Sequence, residues 1–297
     1  MPDTFFTEAP HWQWWIIWYF FIGGIGGGSY AIAALLHIFG EPEDRPIVRL
    51  GYYIALPSII VSGILLTLDL TRPERFYHML VQSKTFVPAF KYWSPMSVGS
   101  WGITLFGLFA FLSTVGALAE TGRLPWSGLS RLNQGTLGLV INLAGGLCGF
   151  FVAGYTGVLL SVTNRPLWSD TPLLGLLFLL SAFSTAAALL LLVGRRRAQP
   201  ESLEWLSQID SWALILELVV LGAVILSVGT VVAREVLFNA WGVLLLVGVV
   251  LAGILVPLLL HWRPRLLGAA SPLGAAALVL LGGFILRVVM LLSSEAV

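Results

Sequence analysis

The amino-acid sequence predicts an all-α integral membrane protein with eight transmembrane helices, and three observations carry that reading. Of 297 residues, 58% are hydrophobic and only 10% are charged, against ~25% charged in a soluble domain. The mean hydropathy is +0.91, so the polar surface is too small to keep a chain of this length in water. The apolar residues gather into long runs that lack the alternation of barrel strands. Backbone facing lipid must then satisfy its hydrogen bonds inside helices.

The eight runs are Trp14 to Phe39, Ile47 to Leu68, Ser97 to Ala119, Gly135 to Val162, Leu173 to Gly194, Leu206 to Thr230, Leu237 to Leu260 and Leu273 to Leu292. Each reaches the ~17–25 residues that cross hydrocarbon. The first run counts as a helix and not as a cleavable signal. It is too long for a signal core, and the residues before it include Asp3 and Glu8 but no Lys or Arg.

An even number of spans puts both termini on one face. That face collects Arg72, Arg75, Lys84, Lys91, Arg165 and Arg234, six basic residues, whereas Arg45, Arg49, Arg123, Arg131, Arg195, Arg196, Arg197, Arg263 and Arg265 make nine on the other. The positive-inside rule assigns the nine to the cytoplasm and both termini to the outer, periplasmic side of an inner membrane. A formal net charge of +1 gives no reason to invoke nucleic acid. One cysteine, Cys148, excludes a disulfide framework, a cysteine-ligated cluster and a zinc site on this chain alone.

The loops are short except for Asp69 to Pro95, 27 residues mixing aromatic and charged side chains on the outer face. Two readings stand side by side: a lid on the lipid headgroups, or a docking surface for a soluble partner. On the second, Arg72, Arg75, Lys84 and Lys91 are the candidate contacts.

Ionisable residues inside spans are costly and normally face the bundle interior, which makes each a functional candidate. Glu217 lies near the middle of the sixth run, and Asp210 lies seven residues earlier on the same helical face. Arg287 lies in the last run, about 9 Å from the depth of Glu217 at 1.5 Å per residue. Glu217 and Arg287 form either a neutralising pair or, with Asp210, part of a proton path. Trp14 and Trp15 read as an interfacial belt. Tyr19 and Tyr155 sit past the belt among apolar residues, in the same half as Asp69, and a phenol there needs a hydrogen-bond partner. A quinone headgroup, with two carbonyls on a ring, suits such a pocket.

The run GGIGGGS from Gly23 to Ser29 lies mid-membrane with no strand before it and no Lys after it, so it packs helices and does not cradle phosphate. The histidines are His11, His37, His78 and His261. Only His37 and His261 share a face, at helix ends, so no haem is expected.

Three stretches then resemble the NrfD/PsrC family of membrane subunits of polysulfide-reductase-type complexes. They are SGILLTLDLTRPERF, ending the second helix, SPMSVGSWGITLFG, opening the third, and GYTGVLLSVTNRPLW, ending the fourth. The resemblance implies two four-helix bundles, here residues 1–162 and 163–297, and no haem. It implies menaquinone or ubiquinone bound near the outer face, against an iron–sulfur subunit that relays electrons to or from a catalytic, often molybdopterin, subunit. Carried onto this sequence, the quinone positions are Tyr19, Asp69 and Tyr155, and the polar positions of the second bundle are Asp210, Glu217 and Arg287. Other members place Asn or His near the start of the first helix, where this chain offers Gln13, Trp14, Trp15 and Trp18; Trp18 joins the expected quinone contacts.

The expected function is thus quinol oxidation or quinone reduction by the membrane subunit of an oxidoreductase, with anaerobic respiration the family setting. Two rivals belong to other classes. A secondary transporter needs polar groups converging at the midplane, and only Glu217 is central. A passive anchor explains the outer loop but not the buried tyrosines and acids.

Overall fold

A computed structural model describes residue 12, residues 14–263 and residues 271–295. The spanning helices are α1 (Trp14–Phe39), α2 (Arg45–Asp69), α3 (Pro95–Glu120), α4 (Gly135–Ser161), α5 (Leu174–Gly194) and α6 (Pro200–Ser227). A short α7 (Thr230–Leu237) precedes α8 (Ala240–Trp262) and α9 (Ser271–Leu292). Eight helices among the described residues are long and apolar enough to cross a membrane. The one β feature among them is an isolated bridge between Val81 and Pro88 in the long loop.

Hydropathy finds the apolar middle of each helix, whereas capping chemistry sets its ends. α6 begins six residues before its apolar run, because Pro200 at the first position presets φ and its missing N–H would be unpaired there anyway. Pro95 opens α3 in the same way, with the Ser94 hydroxyl accepting from Ser97 N–H. The seventh run splits at Asn239, whose side chain accepts from Trp241 N–H at 2.8 Å and starts α8. Gly229, at φ +69, makes the turn out of α6 that a side chain would strain. Within α8, Leu245–Leu255 takes a π-helical register, just ahead of Pro257, whose ring would clash with a carbonyl four residues back in a regular helix.

α1 is the central helix: 83% of its spanning window is buried, against 61% or less in the others. It packs on α2, α4 and α5, while α5 also packs on α4, α6 and α9. The glycine run makes this close approach possible. A Cβ on Gly27 would sit 2.6 Å from the Gly149 carbonyl oxygen of α4, and one on Gly28 would sit 2.6 Å from the Ala182 carbonyl oxygen of α5. The buried apolar residues form two clusters, and each draws on both halves of the sequence. One includes Tyr19, Trp168 and Met290 at the end carrying the 69–95 loop and continues to Leu258 and Ala276 at the far end; the other lies towards that far end of the first helices and includes Tyr30, Tyr52 and Leu206.

The long loop is ordered. A 3₁₀ turn, Pro73–Met79, leads into a small hairpin in which Ala89 N–H donates to the Leu80 carbonyl at 2.8 Å. Trp101 Nε1 of α3 holds the return strand through the Ala89 carbonyl at 3.2 Å.

Candidate functional site

A cavity of about 190 Å³ opens at the loop end of the bundle. α1 begins here, α2 and α4 end here and α3 begins here, so Tyr19, Asp69, Gly99 and Tyr155 line one space. Ile16, Leu66 and Ile103 supply apolar wall. Phe76, Met79 and Leu80 of the long loop cover it. The loop is thus part of the cavity and not only a surface beside it.

The two tyrosines differ in what their hydroxyls do. Tyr19 is 2% exposed, and its hydroxyl makes no hydrogen bond among the described residues. The Tyr155 hydroxyl donates to the Pro95 carbonyl oxygen, and its ring stacks on Phe151 at 5.0 Å. Gly99 makes room for that ring, since a Cβ at this position would overlap it. Half-buried Asp69 has no ion pair or hydrogen bond among the described residues. The cavity therefore holds one free phenol and one free carboxylate against apolar walls, a donor and a proton acceptor for a ring with polar substituents.

Trp18 is not in the cavity. It follows Ile17 by one residue and precedes Tyr19 by one, so about 100° of helix separates each from the next. Its ring packs on Phe284 of α9 at 4.5 Å and is 42% exposed. Of the four expected quinone positions, Trp18 is the one that does not line this cavity. Trp12 does line the cavity and was not expected there. Gln13 and His11 lie outside the described residues. Arg72, Arg75, Lys84 and Lys91 are all exposed on the loop.

A second polar region runs through α5, α6, α8 and α9. Asp210 is fully buried and accepts from the Ser184 hydroxyl at 2.9 Å. His261 Nε2 lies 3.6 Å from Asp210 Oδ2, and Ser211 lies 3.2 Å from the other ring nitrogen. Arg287 is buried; its Nη1 donates to the Ser181 hydroxyl at 2.6 Å and to the Gly283 carbonyl at 2.7 Å. The Phe178 ring lies 5.3 Å from the guanidinium carbon. No direct Arg287–Glu217 ion pair occurs among the described residues. Ser181 is bonded to the guanidinium, and no hydrogen bond joins it to Glu217 among the described residues.

The sequence reading missed Ser181, Ser184 and His261. The signal was present: Ser181, Ser184 and Thr185 interrupt an otherwise apolar α5 at helical spacing, and polar groups at i and i+3 or i+4 share a face. His37 meets the Tyr52 hydroxyl at 3.3 Å and Arg45 at 3.4 Å, in the other half of the molecule from His261. No group of three His, Cys, Asp or Glu side chains among the described residues could hold a metal ion.

Residues 3–297 match the family described as polysulphide reductase, NrfD. The chain belongs to that family. It is 27% identical to protein NrfD of Escherichia coli over 99% of this chain and 98% of that protein. It is 28% identical to a polysulfide reductase chain of Wolinella succinogenes over 62% of this chain and 58% of that one. A selenate reductase subunit of Mesobacillus selenatarsenatis is 24% identical over 64% of this chain. The chain spans about half, 49%, of that last relative's length, but nearly all of the Escherichia coli NrfD. Family membership accounts for the eight apolar helices and makes this NrfD-type chain a membrane subunit of an oxidoreductase.

Proposed function

We propose that this chain binds quinone or quinol in the cavity beneath the 69–95 loop and exchanges electrons there with an iron–sulfur partner. The observation that carries the reading is the Tyr19 hydroxyl, which has no partner among the described residues and belongs to a side chain lining the same apolar-walled cavity as Asp69. A hydroxyl in an apolar pocket gains from an acceptor, and a quinone carbonyl is one that matches it. Bound quinol supplies the redox chemistry: its oxidation yields quinone, two electrons and two protons.

The chain's own residues then do three things. Tyr19 donates to one carbonyl oxygen and fixes the ring. Tyr155, whose proton is committed to Pro95, shapes the wall with its ring and leaves an oxygen lone pair toward a quinol hydroxyl. Asp69, at the rim, takes up or returns a proton. Phe76, Met79 and Leu80 limit water above the ring. Electrons leave towards a ferredoxin-like subunit docked on Arg72, Arg75, Lys84 and Lys91, and through it reach a catalytic subunit. The names of the polysulfide and selenate reductase relatives support a multi-subunit setting.

The division at residues 162 and 163 is kept as a functional one, with the quinone cavity in the first half and the polar column in the second. Asp210, Glu217 and Arg287, joined by Ser181, Ser184 and His261, are the route for any coupled proton movement. The termini and the long loop are assigned to the periplasmic side. A periplasm-only reporter fused after Val297 tests that assignment, and activity of a cytoplasm-only reporter there would reverse it.

The decisive experiment is to purify the chain with its partners, extract and identify bound quinone, and assay quinol oxidation. Bound quinone and turnover that falls in Tyr19→Phe support the reading. A complex that assembles, contains no quinone and turns over no quinol leaves a passive anchor.

A further inference from the structure

Where α6 meets the end of α8, the direction of each hydrogen bond can be assigned in turn. The Ser211 hydroxyl gives its one proton to the Ser207 carbonyl at 2.8 Å. Towards His261 Nδ1, 3.2 Å away, the same oxygen can only accept, so Nδ1 carries a hydrogen. The Ser184 hydroxyl donates to Asp210 Oδ1 at 2.9 Å. Two atoms then remain to answer each other: His261 Nε2 and Asp210 Oδ2, 3.6 Å apart.

Oδ2 is buried without a hydrogen-bond partner among the described residues, so the imidazole, and not solvent, is what it faces. Counting protons leaves one state. With none on either atom, two lone pairs oppose each other and a carboxylate lies unanswered inside the membrane. With one on each, two hydrogens oppose each other. A single proton gives imidazolium beside carboxylate or imidazole beside carboxylic acid, and either way a hydrogen lies between the two atoms.

Few other charges bear on the pair. α5 carries no ionisable residue between Leu174 and Gly194, and α8 carries none besides His261. α9 brings Arg287, which donates to Ser181 and Gly283 and makes no ion pair with Asp210 among the described residues. α6 itself brings Glu217 two turns further on, with Glu201 and Glu204 near its start. Arg195 to Arg197 and Arg263 are exposed beyond the ends of α5 and α8. His261 lies one residue from the end of α8, and its side chain is 8% exposed where that of Asp210 is 0%. It is the outward member of the pair.

We propose that His261 and Asp210 share one proton along the Nε2···Oδ2 line, and that His261 exchanges it with the face opposite the 69–95 loop. Transfer within the pair breaks the Nε2–H bond as the Oδ2–H bond forms; it moves no electrons and turns an ion pair into a neutral one. The exchange role rests on the reading of the polar column as a proton route. The shared proton does not, since it follows from the hydrogen-bond directions alone.

The test places the full-length protein, with isotopically labelled histidine, in lipid nanodiscs and titrates it across about pH 5–8, where an ordinary histidine changes charge. Nitrogen NMR reads the His261 ring, identified by its absence in His261→Gln. Infrared spectroscopy reads the Asp210 carboxylic acid, identified by its absence in Asp210→Asn. Nδ1 should stay protonated, and the imidazolium and carboxylic-acid fractions should sum to one throughout. A sum near zero or near two overturns the proposal, and so does a bare Nδ1. Asp210→Asn should fold, because its amide N–H donates to Nε2 while its oxygen accepts from Ser184. Should His261→Gln not fold, replacing His11, His37 and His78 together leaves the same ring signal alone. In proteoliposomes of the complete complex, His261→Gln should slow proton uptake from that face by about a hundredfold, the scale of a lost proton-transfer group. Undiminished uptake overturns the exchange role. A wild-type complex that turns over quinol without proton uptake there fails the reading of the column instead, and the spectra still decide the shared proton.

Discussion

Between α1 and α4 a tyrosine hydroxyl faces a cavity with no partner, whereas between α5 and α9 a guanidinium is held by a serine hydroxyl and a backbone carbonyl, with carboxylates close by. Both regions bury polarity at similar expense, and they resolve it differently. The first leaves its donor and acceptor for something that comes and goes. The second holds most of its groups against one another, with Arg287 Nε and Asp210 Oδ2 left buried without a hydrogen bond, as a charge inside a membrane calls for partners when nothing else answers it. Mutations should therefore register in ligand affinity in the first region and in stability in the second.

The largest effect belongs to Arg287. Arg287→Met removes the donor to Ser181 and Gly283 and leaves Glu217 without its cation, and breaking a buried charge arrangement from one side costs ~3–5 kcal/mol. Folded yield and the denaturation midpoint in detergent should both fall. Adding Glu217→Gln to the same protein should restore part of the loss. Glu217→Gln alone should assemble, because a neutral amide needs no cation to answer it inside the membrane. A loss below ~1 kcal/mol in Arg287→Met, on the scale of an exposed pair, would mean that the column does not neutralise itself and that the contrast fails.

Tyr19→Phe comes next and should read out elsewhere. The ring stays, packing stays, and the missing hydroxyl costs ~1–3 kcal/mol of quinol binding, or roughly 5- to 150-fold in affinity. The KM for quinol should rise while complex yield holds. A fall in yield with an unchanged KM would make Tyr19 a structural group and empty the cavity of its role.

Tyr155→Phe should be weaker, because the hydroxyl already donates to the Pro95 carbonyl. It removes a tether between α4 and the start of α3, worth ~0.5–1.5 kcal/mol of stability. Stability should fall slightly, and KM should change less than in Tyr19→Phe. A larger rise in KM than Tyr19→Phe gives would show that the Pro95 bond yields to quinol.

The contrast also explains what the sequence could and could not reveal. Hydropathy and span length locate the eight helices because those are properties of single segments. The direction of each helix then follows by alternation, which puts Tyr19, Asp69 and Tyr155 at one end without any coordinates. Pairings are a different kind of information. Ser181 against Arg287, and His261 beside Asp210, depend on the rotation of α5, α8 and α9 about their axes. The serines of α5 mark one face of that helix but not the neighbour it meets, and the apolar remainder adds nothing, since lipid and protein interior prefer the same side chains.

The smallest effect is expected at Trp18, and it is the sharpest test of how the cavity is bounded. Trp18 and Tyr19 are adjacent in sequence, yet one helical step of about 100° sends them to different neighbours. Tyr19 faces α2 and α4 across the cavity, while Trp18 lies on Phe284 with 42% of its surface exposed. Trp18→Leu gives up a ring contact worth about 0.5–1.5 kcal/mol in a buried pair, and less here because the indole is part-exposed. Its effect on KM for quinol should be nil within error, with a small loss of thermal stability at most. Comparison with Tyr19→Phe in the same preparation controls for lipid and partner content. A KM shift in Trp18→Leu matching that of Tyr19→Phe would mean that quinone reaches around α1 towards α9, and the boundary between a ligand region and a self-paired region would have to move with it.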